Sequence, residues 1–512
     1  MFRAALLAAS LLASLPASAQ KTTLNVGIAA QDSGRLDPHF AVSTIDRIPV
    51  AWMFNALVRF PPGSVDPARI EGDLAERWET SADKKTWTFH LRHGVQFHGG
   101  YGELTAEDVI FSLKKAGDPK TSAFASELRA VESMEATDPY TVKITLKEVV
   151  PSLLGTLVNY SQGFIVSRKA VEKLGDGFAR APIGTGPFVF AGLTPNQSLE
   201  LVANEAYFRG KPKLQRISYR FIPSDASRDL AFQNGELDLN YGRADQTWVN
   251  RTRQTPKTVV DIFEPAEEAQ LHLNVTTKPF DDIRVRQAVA LAVNRPELVR
   301  WRGQDVSREA QSVVPRGYLG FTAENGLMGS DIAKAKALLA EAGHPNGLTV
   351  KVIQSALPEM LTAMQVFQAQ LKRAGINLDI QVVEHATYHA QIRQDLSPLV
   401  YYSAARFPIA DVTLTQFFHS RSTVKTPTAV TNFSHCDVAD QQIDAARTEP
   451  DPAKQVALWQ EAQKRIIAHV CAVPMFETLL VFAHHEDLDY GYKLDGSLSL
   501  GPLITEATGF RK

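Results

Sequence analysis

The chain lacks the short motifs by which many enzymes announce themselves. Its 512 residues contain no G-x-S-x-G elbow, no H-E-x-x-H helix and no Walker loop, so serine hydrolysis, zinc proteolysis and nucleotide hydrolysis have no sequence support. Cysteine is scarce, limited to Cys436 and Cys471. Beyond the first twenty residues no apolar run approaches the roughly 20 residues of a membrane span. Excess charge is also missing: 54 basic residues face 56 acidic ones. Neither nucleic acid nor a membrane surface is called for as a partner. Low-complexity segments and internal repeats are absent too.

What is present is the composition of a large globular protein, 44% hydrophobic and 21% charged, with enough apolar residues for a full core. Its length predicts two to four domains of about 100 to 200 residues each. At the start, Arg3 is followed by an apolar stretch over 4–15 and then Ala17-Ser18-Ala19, the pattern of a secretory signal peptide cleaved before Gln20. Removing Arg3 leaves 53 basic against 56 acidic residues, a net of −3. No cysteine lies near that cleavage point, so the expected product is a periplasmic protein with no lipid anchor.

Local patterns predict mixed α and β structure. Trp87, Phe89 and Leu91 alternate with Thr88, His90 and Arg92, which reads as a strand with one apolar side. Gly99 and Gly100 make a turn. Thr105 and Asp108 then form a capping box ahead of Val109, Ile110 and Leu113, predicting a helix. The alternation puts His90 and His93 at opposite parity, so His90, His93 and His98 do not converge as a metal cluster. In Gly184-Thr185-Gly186-Pro187 the following residues, Phe188-Val189-Phe190, are strand-forming, so the glycines read as a structural turn and not as a phosphate cradle. A helix over 282–293 has Val285, Ala288 and Ala292 on its apolar face, with Arg284 and Arg286 expected in solvent or in salt bridges. Two αβ units follow, over 335–353 and 360–383. Helices are predicted over 438–447 and 452–467, and as an antiparallel pair they would bring Cys436 near Cys471. In an oxidising compartment this favours a disulfide over two free thiols. A metal set of His435, Cys436, His469 and Cys471 matches none of the usual zinc spacings.

Seven segments carry a resemblance. They are the run from Gly72 to Leu113, with RLDPHF at 35–40, APIGTGPFVF at 181–190, YFRGKPKLQRI at 207–217, LHLNVTTKPFDDIRVRQAVALAVNR at 271–295, AKALLAEAGHPNGLTV at 335–350 and QLKRAGINLDIQVVE at 370–384. In this order they resemble the family 5 solute-binding proteins of bacterial ABC importers, the dipeptide- and oligopeptide-binding type with nickel- and glutathione-binding relatives. The resemblance implies a binding protein, not an enzyme: an α/β, two-lobed fold of the large periplasmic type II class with an extra α+β insertion. The implied division is a signal peptide over 1–19, a first lobe from 20–54, 182–264 and 473–512, an insertion over 55–181, and a second lobe over 265–472. Chain crossings between lobes are implied near 263–273 and 473–478. The implied partners are a small-molecule or peptide ligand and the permease and ATPase subunits of an importer, with the receptor acting as a monomer and carrying no cofactor.

Peptide-binding relatives carry a W-x-x-D element whose aspartate pairs with the ligand's ammonium group. Here the element resembles Ser403-Ala404-Ala405-Arg406, so a negative anchor is replaced by a positive one. A carboxylate-bearing ligand such as an opine, a glutathione-like or blocked peptide, or another organic acid would pair with Arg406; the alternative is an internal salt bridge between Arg406 and Asp411. Tyr402 and Phe407 are candidates for the aromatic wall that the absent tryptophan would have made. The resemblance also nominates Phe40, Val42, Ser43 and Thr44 from the loop after Asp37-Pro38, and Tyr241 as a further contact. Rival readings are a metal-chelate or haem binder, for which His39, His385, His389 and His419 would matter, and a solute sensor.

Overall fold

The computed structural model describes residues 21–511 except 42, 151, 159 and 426–430. The expected signal peptide and Val42 lie outside the described residues. Two long strands, Thr258–Leu273 and Ala472–His485, form the spine of the molecule. They pair antiparallel from Thr258 opposite His485 to His272 opposite Ala472. Their outer halves pair with different neighbours. Leu239–Tyr241 adds to 482–484 and continues through Thr23–Ile28, Arg216–Phe221, Ser198–Ala203 and Phe188–Thr194. At the other end, Leu399–Ala404 adds to 268–273, and Ser307–Glu309 to 476–478. The register slips between Phe263 and Glu267 and again at Ala269/Gln270. Pro265 lies within the first slip and Pro474 faces Gln270 at the second, as expected where a residue without an N–H interrupts a ladder.

Around this spine the fold is mixed α/β. A separate antiparallel sheet, in the order Ala75–Thr80, Thr86–Leu91, Thr141–Leu146, Val131–Asp138, is covered by the helix Ala106–Gly117. That helix starts with the capping box of Thr105 and Asp108, and its buried Val109, Ile110 and Leu113 share a core with Phe89 and Leu91. Leu348–Ser355 and Ile376–Val383 pair in parallel and are connected through the helix Pro358–Arg373. Cys436 and Cys471 are joined in a disulfide with Cα atoms 5.8 Å apart, beside the helices Asp440–Thr448 and Pro452–His469.

Arg286 departs from the expectation of a solvated arginine. Only 6% exposed, it donates to the carbonyls of Phe280, Asp281 and His469, giving these main-chain acceptors partners.

Candidate ligand-binding site

Strand alternation sorts the residues near the spine into two faces. Leu399–Ala404 pairs with Glu268 opposite Ala404, Gln270 opposite Tyr402 and His272 opposite Val400. Glu268, Gln270 and His272 therefore share one face with Tyr402, while Glu267 shares the other with Ser403, whose hydroxyl donates to Glu267 Oε2 at 3.5 Å. The helix Ala410–Phe418 covers the first face with Thr413 and Phe417. Between them lies a small cavity of about 10 Å³, and Arg406 and Pro315 complete its wall.

Arg406 is held from several directions. Its main chain exchanges hydrogen bonds with the Tyr318 hydroxyl, at 3.0 Å from N–H and 2.8 Å to the carbonyl. The guanidinium donates to Gln416 Oε1 at 2.6 Å and to the Ala405 carbonyl at 3.0 Å, and stands 5.2 Å from the Phe417 ring centroid. Arg406 and Tyr402 therefore meet at one cavity. Asp411 does not join them: it is buried, with an ion pair to Arg447 at 3.2 Å and a Ser152 hydroxyl at 3.5 Å. Phe407 is also turned elsewhere. Its ring stacks on Phe60 at 5.7 Å between centroids, and a Cβ placed on Gly155 would come within 2.5 Å of it.

On the second face a group of charges gathers about Glu267. Burial, and then the nearby Glu359, push the Glu267 carboxyl above its usual range, while Arg302, Arg47 and Arg406 act in the opposite direction. Arg47 donates to the Ala41 carbonyl at 3.2 Å and lies 4.9 Å from the Tyr160 ring. Arg302 Nε is buried without a hydrogen-bond partner. Among the described residues neither Arg47 nor Arg302 has a carboxylate within 4.0 Å. Tyr241 faces the same group: burial, then Glu359 and Glu267, raise its hydroxyl pKa, and its ring meets Phe482 edge-on at 5.2 Å.

The loop after Asp37-Pro38 has other duties. Phe40 lies under Arg35 at 3.9 Å and near Lys115 at 5.5 Å. Ser43 caps the helix Thr44–Met53 and its hydroxyl donates to Asp46 at 2.7 Å. Arg47, a turn further along, lines a second cavity of about 10 Å³ with Pro38, Tyr160 and Ser161. Sequence reasoning stopped at Thr44 and missed Arg47. It also passed over Glu268, Gln270 and His272, although polar residues at every second position of an otherwise apolar strand were a usable signal.

The histidines weighed as metal ligands sit apart. His39 is buried, bonded to the Phe164 carbonyl at 3.1 Å and to Lys115 at 3.2 Å. Burial, with Lys115 beside it, holds its pKa near 4. His419 is near Asp440 and Asp444. His385 and His389 approach to 3.3 Å with no third ligand among the described residues.

Residues 69–424 match the model of the bacterial extracellular solute-binding proteins, family 5. Among solved structures, the chain is similar to the binding protein MoaA from A. tumefaciens R10 in complex with mannopinic acid. The two share 53% identity and a TM-score of 0.89, covering 96% of this chain and 100% of that one. It is also similar to DppA from Helicobacter pylori in complex with the peptide STSA, at 25% identity and a TM-score of 0.83, covering 96% and 99%. The glutathione-binding protein GsiB of Shigella boydii serotype 4 is 28% identical over 496 residues, 94% of each chain.

Proposed function

The chain belongs to the family 5 bacterial extracellular solute-binding proteins, and from that premise we propose that its cargo is an anionic, amino-acid-derived solute of the opine type. It is a two-lobed binding protein of an ABC importer and not an enzyme. Arg406 carries the reading. By the resemblance above it takes the place of the aspartate of peptide receptors, and it stands at the wall of a cavity. A ligand carboxylate entering this cavity meets the Arg406 guanidinium, a group that pairs with carboxylates. The likeness to a receptor solved with mannopinic acid supports the same class of cargo.

Closure of the lobes removes such a ligand from water and strengthens each polar contact. The closed arrangement is supported by Phe407 packing on Phe60 and Gly155. Family members are extracellular or periplasmic, and no described helix is long and apolar enough to cross a membrane. In this reading the N-terminal segment directs export to the periplasm, and the loaded receptor hands its cargo to a permease and its ATPase. Titration calorimetry on refolded, ligand-stripped protein tests the cargo. Mannopinic acid should bind, and free-amine dipeptides at the same concentration should not; the reverse order overturns the reading.

A further inference from the structure

The cavity beside Arg406 has a chemistry that a carboxylate anchor does not explain. Glu268, Gln270, His272 and Thr413 are between 2% and 5% exposed, and each has a buried polar atom with no hydrogen-bond partner: Glu268 Oε2, Gln270 Oε1, His272 Nδ1 and Thr413 Oγ1. All four residues line the same cavity. A buried polar atom left unpaired costs about 1–3 kcal/mol, so four at one place point to a partner that satisfies them.

The donors and acceptors define that partner. Gln270 already spends its amide N–H groups on Glu268 Oε1 at 2.9 Å and on the Val313 carbonyl at 3.1 Å, leaving an acceptor. Thr413 offers a hydroxyl that donates or accepts. Burial, and then Glu477, push the Glu268 carboxyl well above the usual range. Burial alone holds His272 near 3, so its imidazole is neutral. Beside the Arg406 guanidinium at its wall, the pocket thus holds donors and acceptors side by side. A hydroxyl both gives and takes a hydrogen bond, which matches this mixed set. The rings of Tyr402 and Phe417, 5.8 Å apart between centroids, flank the opening with surfaces suited to C–H groups.

Resting on the opine reading above, we infer that Glu268, Gln270, His272 and Thr413 form a hydroxyl-recognising subsite that takes a hydroxylated carbon of the solute whose carboxylate is held at Arg406. The solute class this selects is a polyhydroxylated acid or sugar-alcohol conjugate of an amino acid, in preference to a plain organic acid or a peptide.

The test compares two probes on stripped protein by calorimetry: mannopinic acid, and N-hexyl-glutamate, which keeps the carboxylates and chain length without hydroxyls. Thr413→Val and Gln270→Leu should each weaken mannopinic acid about tenfold, as loss of one hydrogen bond does, and leave N-hexyl-glutamate unchanged. Thr413→Ser should restore the wild-type affinity, which guards against a folding defect. Equal loss for both probes, or no loss for either, overturns the subsite and leaves the opine reading standing. If the wild type binds neither probe, the opine reading fails and the subsite with it.

Discussion

Replacing Arg406 by alanine should damage ligand binding far more than it damages the fold. Among its contacts in the folded protein, the guanidinium donates to Gln416 Oε1 and the Ala405 carbonyl and lies against the Phe417 ring. These half-exposed contacts are worth about 1–2 kcal/mol together, so the unliganded melting temperature should fall by at most about 4 °C. The chain around it has independent support from the Tyr318 hydroxyl, which holds the backbone on both sides of the residue. A ligand carboxylate paired with the same guanidinium contributes about 1.5–3 kcal/mol, which corresponds to a 10- to 150-fold rise in Kd. Arg406→Lys, which keeps the charge and loses the planar fork, should fall between. Calorimetric titration with mannopinic acid reads the affinity, and differential scanning calorimetry of stripped protein reads the fold. A Kd within twofold of the wild type for Arg406→Ala would refute the anchor. A collapse of stability comparable to the loss of binding would show Arg406 to be a structural residue.

Other consequences are equally open to measurement. His98 is buried with Nε2 on the Gly186 carbonyl at 3.0 Å, and burial lowers its pKa from 6.5 to about 4. The folded state thus binds fewer protons, so this group's contribution is complete above pH 6.5 and declines as the pH falls towards 4. That amounts to about 2 kcal/mol lost at pH 5. His98→Gln should lose less stability between pH 7.5 and pH 5 in urea titrations, and an unchanged drop would contradict the burial argument. Cys436→Ser with Cys471→Ser opens a link between residues 35 apart, and chain entropy sets its effect at about 4 kcal/mol; a urea midpoint unchanged by the double substitution would refute this. Phe407→Ala removes the stack on Phe60, so small-angle scattering of the liganded protein should shift towards an open form, with Kd raised about tenfold. Identical scattering curves would show that this contact does not hold the lobes together.

Much of the local structure was legible because it depends on neighbours in sequence. The alternation at Trp87, Phe89 and Leu91 and the pair Thr105/Asp108 specify a strand and a helix start through geometry internal to a few residues, and both elements form. The family was legible for a similar reason, since its segments lie in order along the chain. Which partner each buried group takes was not legible. Arg406 and Asp411 lie close in sequence, yet Asp411 turns to Arg447, brought in by a different helix. Arg286 sits on a helix face that periodicity assigns to solvent, and the carbonyl of His469 closes over it.

By itself, then, the amino-acid order determined the class of fold and the alternating faces of its strands. Only the tertiary structure decided what covers those faces. Glu268, Gln270 and His272 share a side because a strand repeats every two residues. That Thr413 and Phe417 close over them follows from the packing of the helix Ala410–Phe418 against that strand, a long-range contact that no local period encodes.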